Sequence, residues 1–271
     1  MKHATRTLQR GLVWLAFLAI AAFVLLPLLW GLRTSFAPDL DNKVIPSFLT
    51  LKNYSELLSR PEILLYSRNS LVISLCTIIV VLPVGLIGAY ALARFQFVGK
   101  NLGFVFMIIP LLPAIAVLVP LVAYMNRLHL YNSLVAVILV NSVFNLPFAT
   151  WMLRNFILAN PISIEEAALI DGCSRVRMLF TIAIPMMTPG IVAVVVYTFI
   201  NSWNALIYSF ALTPSPTLRV MPQGILAFMG SWGTQWGGIT AVGMLALLPP
   251  LLLFLIFQRT FVAGLFGYQL K

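Results

Sequence analysis

Tyr197, Asn201, Asn204 and Tyr208 stand at offsets of 0, 4, 7 and 11 residues. At about 100° per residue they fall within roughly 60° of one another on a helix. Amides give and accept hydrogen bonds with hydroxyl groups, and aromatic faces cover ring C–H surfaces, so this stripe suits a polyhydroxylated solute such as a sugar. Asn141 and Asn145 sit one helical turn apart in a second apolar stretch, and Trp203 flanks the stripe. The same side chains also suit a plainer role, as hydrogen-bonding glue between packed membrane helices at ~0.6 kcal/mol per bond. Spacing alone leaves both roles open.

The seven acids form a second set. Asp39, Asp41, Glu56 and Glu62 lie in one segment, and Glu165, Glu166 and Asp171 in another. None falls in a long apolar run, which counts against proton-coupled transport and against an intramembrane aspartyl or metallo-enzyme. Gly99-Lys100 is followed by Asn101 and has Arg94 where a phosphate-binding loop needs its first glycine, so ATP chemistry has no seat here. No nucleophile elbow occurs. Any uphill movement must draw energy from a partner. Cys76 and Cys173 fall at different expected membrane depths, and two such cysteines build no metal site.

The elements that carry these residues follow from composition. Of 271 residues, 61% are hydrophobic and 9% charged, far from a soluble domain. The net charge of +10 is scattered and contains no basic run for nucleic acid. Six stretches are long and apolar enough to span a bilayer: 12–32, 69–93, 102–125, 134–153, 186–212 and 239–258. None contains Asp, Glu, Lys, Arg or His, and lipid obliges them to be helices. The expectation is an all-α polytopic membrane protein, a single transmembrane domain over 1–271.

The first stretch is too long for a signal-peptide core and lacks a cleavage site, so it reads as a retained helix. With the N-terminus inside, inner segments hold 10 basic residues and outer segments 7, which favours cytoplasmic N- and C-termini. Pro27, Pro83, Pro110, Pro113, Pro120, Pro147, Pro189, Pro249 and Pro250 lie in the spans. They favour curved, cavity-forming helices, although proline is common in membrane helices anyway. Trp232 and Trp236 read as interfacial anchors, with contact to a soluble partner as the other reading. Asn53-Tyr54-Ser55 fits a weak glycosylation pattern, and His129 receives no role.

Between spans four and five, 154–185 reads as an inner loop with a short helix. Ser163 and Glu166 fit a capping box, and Gly172 suits the left-handed position that stops the helix. Glu165 and Glu166 fall in the first turn, which the helix dipole favours. A second helix is expected from Ser174, carrying Val176, Leu179 and Phe180 towards Pro185. A capped helix with small surface residues lets a partner approach closely; an amphipathic connector on the membrane surface is the alternative.

This loop resembles the permease subunits of ATP-binding-cassette importers. Glu166-Ala167-Ala168, three residues, Gly172, nine residues, then Ile182-Ala183-Ile184-Pro185 reproduce their loop signature with Ile184 for leucine. Asn69-Ser70-Leu71, Ala89-Tyr90-Ala91-Leu92-Ala93-Arg94-Phe95, Trp203-Asn204 and Gln258-Arg259 are similar to the carbohydrate branch, the maltose-type second permease. Ala205 stands where that branch usually has an acid, and the tail from Gly264 drifts from its usual ending. The resemblance implies a type I importer permease fold and a subunit that is not itself an enzyme, in a bacterial cytoplasmic membrane. It implies a second homologous permease, two ATPase copies binding ATP and Mg, and an extracytoplasmic solute-binding protein. Glu166, Ala167, Ala168, Gly172, Ile182 and Pro185 become ATPase-coupling residues by that resemblance. Glu165 and Asp171 join them as acids expected to be exposed towards Arg or Lys of the partner. The solute would be a sugar or oligosaccharide, with a polyol phosphate or oligopeptide permease, a stand-alone channel or a secondary transporter as alternatives.

Overall fold

A computed structural model describes residues 2–38, 49–97, 100–230 and 233–266. The chain divides into two compact units, Met1–Pro61 with Ile225–Leu247, and Glu62–Gly224 with Leu248–Lys271. Asp39 and Asp41, Gly99, Trp232 and the tail beyond Phe266 lie outside the described residues.

In the first unit, α1 (Lys2–Ser35) exposes apolar side chains around its circumference, including Leu12, Trp14 and Phe23. A helix apolar all round belongs in lipid or against another protein. Its end is held by α2 (Lys52–Leu58), where Asn53 Nδ2 donates to the carbonyls of Ser35 at 3.0 Å and Ala37 at 2.9 Å. Asn53 is therefore buried and already bonded, which removes it as a glycosylation acceptor.

The second unit holds α3 (Pro61–Arg94), α4 (Ala114–Arg127) and α5 (Leu134–Ala159). The loop helix α6 (Ile162–Ile170) follows, then α7 (Arg175–Met178), a π-helical turn at Leu179–Ala183, and α8 (Ile184–Met186). After them come α9 (Thr188–Trp203), α10 (Leu206–Leu212) and α11 (Met221–Gly224). The first unit also holds a short pair of strands, β1 (Met229–Gly230) and β2 (Gly233–Thr234), before α12 (Trp236–Phe266), and the division between units falls within α12. Among the described residues, two larger apolar clusters build most of the second unit's core. One joins Ile73, Met125, Val137, Val140 and Leu212; the other joins Val81, Ala89, Leu153, Ile157, Met187 and Val194.

Among the described residues, four helices are long and apolar enough to cross a membrane: Arg10–Ser35, Pro61–Arg94, Leu134–Ala159 and Trp236–Thr260. A bent pair, Arg175–Met186 with Thr188–Trp203 at 74°, makes a fifth. Two of the six expected spans differ from uninterrupted helices. The 102–125 stretch is a 3₁₀ helix over Lys100–Leu111 followed by α4, because Pro113 adopts an extended backbone (ψ 124°) and its ring disfavours the α region at Leu112. The 186–212 stretch breaks twice. At Met187 the ladder loses a donor, since Pro189 has no N–H for the Pro185 carbonyl; the Thr188 hydroxyl donates there instead, at 2.7 Å. At Ala205 (φ −72°, ψ 62°) the chain makes an inverse γ-turn, with Leu206 N–H donating to Asn204 O at 2.7 Å.

Candidate functional site

The break at Ala205 opens a cavity of about 530 Å³. Asn141, Phe144 and Asn145 of α5 line one side, and Tyr197 and Asn201 of α9 with Asn204 at its C-cap another. Pro110, Ala114 and the segment Ala205–Tyr208 complete the lining. Six of the seven residues expected on the solute path thus meet around one space. Trp203 does not: it is 2% exposed and stacks on Phe199 at 5.8 Å, as part of the core. Phe144, Pro110 and Ala114 are wall residues that no polar pattern marked.

The amides are oriented by their own helices. Asn145 Nδ2 donates to Asn141 O at 2.8 Å, Asn201 Nδ2 to Tyr197 O at 2.9 Å, and Asn204 Nδ2 to Ile200 O at 3.0 Å. The preceding turn takes one Nδ2 hydrogen and fixes the amide plane, so the side-chain oxygen is left to accept from a ligand and the second hydrogen to donate to it. Asn141 supplies the complement: its Nδ2 is buried without a hydrogen-bond partner. A buried amide in that state costs free energy until something accepts from it. The aromatic walls are braced, Tyr208 stacked on Phe144 at 5.0 Å and Tyr197 tilted against Phe148 at 4.1 Å. No charged side chain is among the described lining residues.

At the loop, α6 ends as its sequence predicts. Gly172 takes φ +84°, Cys173 N–H donates to Ala168 O at 3.0 Å, and Gly172 N–H to Leu169 O at 3.1 Å. This is a Schellman stop, with Cys173 packed against the Ala168–Met178–Ala183 cluster. Ser174 then caps α7, its oxygen accepting from Arg177 N–H at 3.3 Å. The start differs from expectation. Pro161 occupies the N-cap and Ser163 lies inside the helix, so the capping box does not form. Proline's fixed φ sets the entry two residues earlier than the serine would.

Glu166, Ala167, Asp171 and Gly172 face outwards with Ile170, which is 84% exposed, and Pro185 is also exposed. Ala168 and Ile182 pack inwards on the small cluster. Glu165 is the correction: it is buried rather than exposed. Its Oε1 pairs with Arg94 Nη2 at 2.6 Å, and its Oε2 accepts from Tyr90 OH at 2.8 Å. Glu165 lies three residues before Ala168 and four before Leu169, on the inward face, and that spacing was the signal for its burial. Trp236 is 60% exposed at the start of α12.

Residues 81–266 match the family described as binding-protein-dependent transport system inner membrane component. The sulfoquinovosyl glycerol transport system permease protein SmoH of Agrobacterium fabrum is 33% identical over 263 residues, covering 93% of this chain and 92% of its own. The diacetylchitobiose uptake system permease protein DasC of Streptomyces coelicolor is 30% identical over 270 residues, covering 96% and 98%. In fold, the chain is similar to a bacterial ABC transporter involved in import of the acidic polysaccharide alginate, with a TM-score of 0.77 at 19% identity over 92% of this chain and 95% of that one. The loop signature, the apolar helices and these matches agree: the chain belongs to the binding-protein-dependent transport system inner membrane component family, the multi-pass permease subunits of ABC importers.

Proposed function

We propose that this chain forms half of the translocation pathway of an ATP-driven importer for a sugar or oligosaccharide. The observation that carries the reading is the cavity, where Asn141, Asn145, Tyr197, Asn201, Asn204 and Tyr208 set amide and aromatic groups around one space without a charge among the described lining. Neutral hydroxyl groups need such donors and acceptors, whereas a polyol phosphate needs a cation. Two relatives named for glycoside and disaccharide uptake support the same class. In this reading a second homologous permease supplies the other half, and a solute-binding protein delivers the sugar from outside.

Two ATPase copies bind ATP and Mg and meet the 163–185 loop through Glu166, Ala167, Asp171 and Gly172, with Ala168, Ile182 and Pro185 shaping that surface and Glu165 fixing it from behind. Both termini face the cytoplasm, consistent with the distribution of basic residues. The test is uptake into proteoliposomes holding both permeases, the ATPase and the binding protein. Solute accumulation that requires both ATP and the binding protein is the expected result. Uptake by this chain alone, without ATP, would replace the reading with a stand-alone channel.

A further inference from the structure

Arg94 closes the last turn of α3 and binds two other elements at once. Its Nε donates to Glu165 Oε1 at 2.9 Å, and its Nη2 to the same oxygen at 2.6 Å. The same Nη2 reaches the carbonyls of Ile157 at 2.9 Å and Asn160 at 3.1 Å, where α5 ends. Tyr90, one turn before Arg94, donates to the other Glu165 oxygen at 2.8 Å. The Arg94 and Glu165 side chains are 9% and 8% exposed.

A buried ion pair is weak evidence for stability, because desolvation offsets its attraction, but a guanidinium fork imposes direction. Here the fork leaves α6 little room to turn or slide against α3 and α5. The inward face of α6 is held by this pair and by the Ala168–Met178–Ala183 cluster, while Glu166, Ile170 and Asp171 remain open on the other face. Displacement applied to the open face must therefore move α6 as a body or break the pair. α5 runs from the Ile157 carbonyl to the cavity wall at Asn145, about 18 Å at 1.5 Å per residue.

We propose that Arg94 is a positioning residue that joins α6 to the ends of α3 and α5, so that a push on the exposed face of α6 reaches the cavity wall. This rests on the importer reading above. It predicts that the clamp governs how much solute moves per ATP consumed, beyond any effect on folding.

The experiment uses the full importer in lipid nanodiscs and proteoliposomes, with Cys76 and Cys173 replaced by serine. Spin labels at exposed Ile162, which opens α6 outside the 163–185 docking loop, and at exposed Ile87 on α3 report their separation with and without trapped nucleotide. In the otherwise unchanged chain the separation stays the same in both states. Arg94→Gln broadens it and lowers solute transported per ATP by about fivefold or more, the lower end of typical coupling. Arg94→Lys, which keeps the charge but not the fork, recovers part of that ratio. If Arg94→Gln fails to assemble, Tyr90→Phe removes one hydrogen bond and leaves no buried charge unpaired, and the ratio still falls. A separation that changes between states in the unchanged chain, or a ratio unaltered in the assembled Arg94→Gln or Tyr90→Phe complex, overturns the proposal. Absence of binding-protein-dependent uptake in the unchanged complex would instead remove the importer reading, and the label separation would still report on the clamp.

Discussion

Asn69 Nδ2 donates to the carbonyl oxygens of both Thr217 and Arg219, at 2.9 Å each, so the amide near the start of α3 holds a loop 148 and 150 residues further along. The next residue adds a third tie, Ser70 Oγ accepting from Met221 N–H at 2.9 Å. Both side chains are buried. Between the short 3₁₀ turn at Pro216–Leu218 and α11 the loop is tied by these bonds to α3, by Val220 N–H donating to Gln223 Oε1 at 2.8 Å, and by the burial of Val220 in the core.

Removing the amide should loosen that loop before it unfolds the helices. Asn69→Ala leaves two carbonyls without their donor, at about 1–2 kcal/mol in all. Asn69→Asp should be worse, since an acceptor would face two acceptors. Hydrogen exchange at 217–221 should quicken in Asn69→Ala, with a lower midpoint of thermal unfolding in detergent. Unchanged exchange there would show that the loop is held by something else.

Much of this molecule is readable from residue type and spacing, and the parts that are not have identifiable causes. Gly172 marks the loop helix stop because few other residues accept φ +84°. The spacing from Tyr197 to Tyr208 predicts one straight helix, yet the chain turns at Ala205, and Tyr208 still reaches the cavity from α10. No proline announces that break; an inverse γ-turn at an alanine has no sequence signature. Trp203 followed the stripe by adjacency but points into the core, which a helical wheel anticipates: it is two positions from Asn201 and so well off the stripe. The charge of Glu165 suggests an exposed side chain while its spacing to Ala168 and Leu169 places it on the inward face, and the basic partner that allows its burial, Arg94 at a distant span edge, appears only when α3 and α6 are brought together.

Asn141 separates the two roles that its residue type allows. Its Nδ2 has no partner, so it contributes no hydrogen bond that would glue helices through that atom. Asn141→Leu, close in volume, should leave thermal stability unchanged or slightly raised, because replacing an unsatisfied buried amide removes a desolvation cost. Solute uptake should fall by about fivefold to tenfold, matching a lost ligand hydrogen bond of about 1–1.5 kcal/mol. Lowered stability with normal uptake would return Asn141 to a packing role.

The loop helix offers a graded series at one position. A Cβ at Gly172 would meet nothing within 4 Å, so Gly172→Ala pays only for its left-handed backbone, about 1–2 kcal/mol. Gly172→Asn should cost less, as asparagine tolerates that conformation. Gly172→Pro cannot adopt φ +84° and should abolish the stop. Co-purification of the ATPase with tagged protein should follow that order, and Glu166→Lys should reduce it through charge reversal on the exposed face. Equal recovery from Gly172→Pro and Glu166→Lys would remove the docking role from α6.

Gly190 lies where α9 crosses α5 so closely that a Cβ would sit 2.6 Å from Cγ and Cδ2 of Phe156 and 3.0 Å from its Cβ. Those atoms include the root of the ring, so a rotamer change cannot clear them all, and the helices must separate. Gly190→Ala should therefore destabilise by about 1–3 kcal/mol through overpacking. Phe156→Ala removes the obstruction at the cost of its own packing. The double variant should be more stable than the sum of the two single effects implies, by about 1 kcal/mol or more. Thermal unfolding of the four proteins in one detergent measures that term directly. A sum that holds without a coupling term would mean the helices already have slack at this crossing. Asn145 and Tyr197 face the cavity from these two helices, so a widened crossing would also move its walls apart. Uptake should then fall in Gly190→Ala and partly recover in the double variant, in step with the stabilities.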